Sequence, residues 1–120
     1  MIVHLPGNLQ VHDDTAHAAK AVHSEIFVDR IYSKHGIEIK DGDVILDVGA
    51  NVGLFPIWLS TFLTSATVHC FEPVPWTTAN LLRNLQEHCA LRTVVHDHAL
   101  GNHDGTAVLN VGTVSQLSGL

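Results

Sequence analysis

The stretch DVILDVGANVGLF, residues 43 to 55, holds the residue types best suited to chemistry in this chain. An apolar run, Val44-Ile45-Leu46, ends in the carboxylate Asp47. Gly49, Asn51 and Gly53 follow at alternate positions, and a second apolar run begins at Leu54. Glycines lack a Cβ and tolerate positive φ, so a ligand can lie close to backbone there. Asparagine is the best non-glycine substitute at a left-handed position. A helix starting at Leu54 would aim its free N–H groups at the same space. The pattern reads as a backbone cradle for a small ligand.

Glu72 adds a second carboxylate, at the end of the apolar run Thr67–Phe71. An acid about 20 residues beyond such a loop is placed to accept both hydroxyls of a ribose. Cradle and acid together indicate a nucleoside cofactor. A dinucleotide site prefers G-x-G-x-x-G, whereas the spacing here is D-x-G-x-N-x-G. Asp47 would repel a pyrophosphate and suits an ammonium or sulfonium cation. S-adenosyl-L-methionine carries both cations and no phosphate, so the pattern favours a methyl donor.

The elements that must position these residues follow from periodicity. Residues 1–12 read as an irregular lead-in with a turn at Pro6-Gly7. Asp13 or Asp14 can cap a helix to about Lys34, with Ala19, Val22, Ile26, Phe27 and Ile31 on one face. Gly36 can end that helix and Asp41-Gly42 is a turn. Val44–Val48 is continuously apolar apart from Asp47 and predicts a strand buried on both faces. Leu54–Leu63 predicts a helix, Thr67–Phe71 a strand and Trp76–Cys89 a helix with Leu81, Leu82, Leu85 and Cys89 on one side. Val94–Leu100 and Thr106–Val111 predict two further strands. Alternating strands and helices imply a mostly parallel α/β sheet with crossover helices, whose ligands sit at the carboxyl ends of the strands.

The totals bound the function. Six basic against 12 acidic residues give a net charge of −6, which argues against nucleic acid or an anionic membrane as partner. Nearly half the residues are apolar, enough for a core in one domain. The N-terminus lacks a signal-peptide pattern and no apolar run reaches the ~18 residues that span a bilayer. The reading expects a cytoplasmic protein with Cys70 and Cys89 reduced and semi-buried. Trp58, Trp76 and the helix leucines read as core and lid. His96, Asp97 and His98, with His103 nearby, could be read as metal ligands, but no third spaced ligand supports that.

"DGDVILDVGANVGLF", "VHCFEP" and "HALG", in this order, resemble the FkbM-type S-adenosylmethionine-dependent methyltransferases. "SEIFVDRIYSKHGI" upstream and "SQLSGL" downstream look like versions from natural-product assembly lines. The resemblance covers roughly residues 24 to 120. It implies a Rossmann-like class I fold and O-methylation of a small-molecule or carrier-bound hydroxyl. It also implies roles: Asp47, Gly49, Asn51 and Gly53 beside the methionine part of the cofactor, Glu72 on the ribose hydroxyls, and Asp97, His98 and Ala99 beside the adenine. The resemblance also implies that Tyr32 touches the cofactor carboxylate. Family members continue through further strands, including a K-I-D-V-E-G segment that is absent here. Residues 13–120 are therefore expected to be a partial domain, truncated after about four strands, with the acceptor site elsewhere and an unpaired sheet edge open to self-association. The alternatives are a non-catalytic remnant that binds cofactor or a partner, and a NAD-dependent oxidoreductase.

Overall fold

The computed structural model describes residues 1–28 and 39–99. The chain opens with two short strands, β1 (Ile2–Leu5) and β2 (Leu9–His12), paired antiparallel with Leu5 opposite Leu9. The three-residue turn Pro6-Gly7-Asn8 joins them, with φ of 77° at Gly7 and 60° at Asn8. Residues 1–12 are thus a hairpin and not an irregular lead-in. The cause is visible in the alternation: Val3, Leu5 and Val11 are buried while Ile2, His4 and Gln10 are exposed. Alternate side chains of a strand face opposite sides, so one face of the hairpin joins the core.

Helix α1 spans Ala16–His23 and continues as a π-helical turn over Ser24–Val28. Neither aspartate caps it directly. Asp13 Oδ1 accepts hydrogen bonds from the backbone N–H and hydroxyl of Thr15, the residue at the helix start, at 2.9 and 2.8 Å. The rest of the expected helix, with Tyr32 and Gly36, lies outside the described residues, as does the expected strand Thr106–Val111.

The sheet that matters for function has three parallel strands in the order β3 (Val44–Val48), β4 (Thr67–Phe71) and β5 (Arg92–His96). Helix α2 (Leu54–Leu59) joins β3 to β4, and α3 (Pro75–His88) joins β4 to β5. Helix α2 ends four residues earlier than its apolar run. Ser60 and Thr61 donate their hydroxyls to the carbonyls of Ile57 and Trp58, at 2.7 and 2.6 Å, and so compete for the acceptors the helix would use to continue. Strand β5 ends at His96, so Asp97, His98 and Ala99 follow the strand and are exposed.

Strand β3 is not buried on both faces. Val44 and Leu46 are 69% and 58% exposed, while Asp47 is buried. The register pairs Ile45 with Val68 and Asp47 with Cys70, and these residues share the face turned to the helices. Val44 and Leu46 point the other way. Among the described residues β3 is an edge strand, and both helices lie on one side of the sheet. The continuous apolar run gave no hint of which face would be covered. Trp58 is core, as expected, but Trp76 is 63% exposed and Leu82 is also on the surface. Cys70 is fully buried, Cys89 is half-buried, and both are free thiols.

Asn84 ties the layers together. Its side chain is 0% exposed and sits on the same stripe of α3 as Leu81 and Leu85. Its Oδ1 accepts from the His12 N–H at 2.7 Å, and its Nδ2 donates to the His12 and Val52 carbonyls at 2.9 and 2.8 Å. One amide therefore clamps the end of the hairpin to the glycine loop. Removing it would leave three buried backbone groups without that partner. We expect Asn84→Ala to lower stability by roughly 2–4 kcal/mol, as measured by urea denaturation.

Candidate functional site

The carboxyl ends of the three parallel strands lie side by side, because Val48, Phe71 and His96 stand in one row of the register. The next residues of β3 and β4, Gly49 and Glu72, lie at this edge, and Asp97 follows β5. Asp47, Gly49, Asn51, Gly53 and Glu72 are thereby gathered at one end of the sheet. Asp97, His98 and Ala99 lie beyond the strand next to Glu72, whose N–H donates to the His96 carbonyl at 3.0 Å.

The loop from β3 to α2 takes the left-handed backbone that its residue types allow. Gly49, Asn51 and Gly53 have φ of 75°, 54° and 95°. Gly53 has a second reason to lack a Cβ, since one there would lie 2.9 Å from Leu81 Cδ1 and 3.3 Å from Leu85 Cδ2. Gly53 thus lets the start of α2 pack against α3, whatever it does for a ligand.

The loop's donors are spent on protein. The N–H groups of Gly49 and Ala50 both donate to the Phe71 carbonyl, at 2.9 and 3.0 Å. The N–H of Asn51 donates to Glu72 Oε1 at 2.8 Å, and that of Gly53 to the Ala50 carbonyl at 3.1 Å. A phosphate site needs N–H groups that point outward. Here four of the loop's N–H groups are already engaged. The cradle is a shaped surface next to two carboxylates and not a nest of free donors.

The two carboxylates differ sharply. Glu72 is 4% exposed, and its other oxygen, Oε2, accepts the Val74 N–H at 3.2 Å. The Thr78 hydroxyl donates to the Glu72 carbonyl at 2.9 Å. Asp47 is equally buried, yet among the described residues its Oδ2 has no hydrogen-bond partner. Burial first, and the Glu72 carboxylate second, push the Asp47 carboxyl up to about 7 from its ordinary 3.8. Burial likewise pushes the Cys70 thiol up, with Asp47 adding to the effect.

His96 is engaged within the sheet. Its Nε2 lies 3.1 Å from His69 Nδ1, in a histidine–histidine hydrogen bond on the sheet face away from the helices. Its ring stacks on Phe71 at 4.5 Å between centroids, and His98 meets both rings edge-on. Among the described residues no three His, Cys, Asp or Glu side chains group to hold a metal, and no helix is long and apolar enough to cross a membrane. His103 lies outside the described residues. Sequence reasoning missed Asn84, although an amide on an apolar helix stripe is a readable signal. It also missed the Phe71 carbonyl, which no residue type could have announced.

The state of Asp47 has a measurable consequence. Below about pH 4 its carboxyl is protonated in the folded and unfolded chain alike. As pH rises the unfolded chain loses that proton first, so stability falls between about 4 and 7 and the full cost persists above 7. At about 1.4 kcal/mol per pH unit that cost is on the order of 4 kcal/mol. Asp47→Asn should therefore match the parent near pH 4 and exceed its stability at pH 8 by a few kcal/mol, as read from urea denaturation at both pH values.

Comparison with known proteins converges on one enzyme class. The chain is 42% identical over 84 residues to the 31-O-demethyl-FK506 methyltransferase FkbM of Streptomyces tacrolimicus, a match over 70% of this chain and 32% of that protein. It is 31% identical over 88 residues to Methyltransferase 1 of Beauveria bassiana, covering 73% of this chain and 34% of the relative. It is also 39% identical over 83 residues to the AMB antimetabolite synthetase AmbE of Pseudomonas aeruginosa, covering 69% of this chain but 4% of that much longer protein. No family model matches the chain. The chain thus spans about a third of the length of the two methyltransferases. Over the matched residues the chain is similar to an FkbM methyltransferase and to other named methyltransferases, a pattern that fits an FkbM-type fragment.

Proposed function

We propose that this chain is the cofactor-holding part of an S-adenosylmethionine-dependent methyltransferase with a Rossmann-like class I fold. Its acceptor would be a hydroxyl oxygen on a small molecule or carrier-bound intermediate in natural-product or saccharide metabolism. The observation that carries this reading is the buried Oδ2 of Asp47 at the carboxyl end of β3, unpartnered among the described residues, beside Glu72 at the end of β4. A bare buried carboxylate oxygen suits an ammonium group, which offers three donors and a positive charge. It is the wrong partner for a phosphate.

Bound S-adenosylmethionine would supply a methyl group on a positively charged sulfur, primed for transfer to an oxygen nucleophile. The protein's own task is then to bind, orient and exclude water. Asp47 would hold the ammonium of the methionine part, with Gly49, Asn51 and Gly53 leaving room for it. Glu72 would meet the ribose hydroxyls while its Oε1 keeps Asn51 in place. Asp97, His98 and Ala99, beyond β5 and next to Glu72, would flank the adenine. Buried Ala50, Val52 and Leu54 line the apolar side of the loop and keep water from its base.

Calorimetric titration with S-adenosylhomocysteine, the demethylated product, tests the assignment. Saturable binding is expected, weakened at least tenfold by Asp47→Ala and by Glu72→Ala, a loss of about 1.4 kcal/mol or more for each. Undiminished binding by both variants would contradict the assignment of these residues.

A further inference from the structure

We propose that Asp47 holds a proton in the free protein and releases it when a cationic group docks on Oδ2, so that cofactor binding expels one proton from this site. The inference rests on the cofactor reading above and adds a regulatory property to it: cofactor affinity is set by pH.

The geometry leads to this. Two carboxyl groups at the ends of neighbouring strands are both buried, at 4% exposure each. Glu72 has acceptor bonds on both oxygens, from the Asn51 and Val74 N–H groups. Asp47 Oδ2 accepts none among the described residues. A buried carboxylate without a partner is costly, and a second carboxylate beside it adds repulsion. Such an oxygen is relieved either by a proton or by a cation, and the two compete for the same place. Among the described residues, the groups facing Asp47 offer no other relief. Its register partner on β4 is the buried thiol Cys70. The end of β4 supplies Glu72. Helix α2, Leu54–Leu59, has no titratable side chain. Burial and Glu72 together push the carboxyl up to about 7, which puts the exchange of proton for cation in the physiological range.

The ligand class follows from the same geometry. A molecule with a primary ammonium on its amino-acid part displaces the proton. The same nucleoside without that ammonium does not. S-adenosylhomocysteine and adenosine form the matched pair.

The test is calorimetric titration of the full chain at pH 6, 7 and 8, each in two buffers of different ionisation enthalpy, so that proton release is read from the difference in heat. For S-adenosylhomocysteine we expect release of about 0.9 proton per ligand at pH 6, about half at pH 7 and about 0.1 at pH 8. Affinity should be about tenfold tighter at pH 8 than at pH 6. Asp47→Asn, which keeps the shape, should bind more weakly with no release and a flat pH profile, and adenosine should bind the parent without release. Binding of S-adenosylhomocysteine with no release at pH 6 would overturn the proton exchange and leave the cofactor reading standing. Release that survives in Asp47→Asn would remove Asp47 from the proposal. Failure of the parent chain to bind S-adenosylhomocysteine at any of these pH values would overturn the cofactor reading itself.

Discussion

Three successive backbone N–H groups, those of Gly49, Ala50 and Asn51, bond to the end of β4, two of them to the Phe71 carbonyl and one to the Glu72 side chain. The site depends on this short run. It forces the chain to turn sharply as it leaves β3, which requires the left-handed backbone at Gly49 and Asn51. It draws the loop against β4, so that Glu72 and Asp47 end up at neighbouring strand ends. It also consumes the donors that would otherwise welcome a phosphate. What remains is a tightly turned loop with two buried carboxylates beside it, an acidic setting that disfavours a pyrophosphate.

The two carboxylates divide the work because their surroundings differ, although their burial is the same. Glu72 is structural in this state, since both of its oxygens hold backbone in place. Among the described residues Asp47 is the exception in an otherwise well-satisfied loop, with one oxygen accepting nothing. Proteins seldom leave a buried polar atom unpaired, and those that remain cluster where a ligand completes the set. Under the proposed function, stability given up at Asp47 would be recovered on binding a cation there, and the same residue would couple folding, protonation and binding. The relatives that match this chain include three named methyltransferases, and the proposed site for a cationic methyl donor fits that company.

Much of the site was legible in the sequence because its residue types are dictated by backbone conformation. Gly49, Asn51 and Gly53 are what positive φ requires, and they adopt it. Strand β4 falls on Thr67–Phe71 as its apolar run predicts, and Pro75 sets the start of α3. The hairpin of residues 2–12 was also legible in principle, since Val3, Leu5 and Val11 alternate with exposed neighbours across Pro6-Gly7-Asn8. Its strands are four residues each, too short for alternation to stand out against a turn signal. The exposure of Val44 and Leu46 was not legible, because an uninterrupted apolar run carries no information about which face of a strand is covered. Nor was the pairing of Asn84 with His12, which joins residues 72 apart. That contact is decided by packing, and sequence could show only that a polar side chain sits on the buried stripe of α3.

The account stands or falls on what the loop and its two acids select. The most direct measurement is competition binding on the unmodified chain, with S-adenosylhomocysteine and NAD offered against each other. The account predicts saturable binding of S-adenosylhomocysteine that excess NAD does not displace, since the loop's engaged N–H groups and two carboxylates disfavour a pyrophosphate. Displacement by NAD at comparable concentration, or preferential binding of NAD, would contradict it.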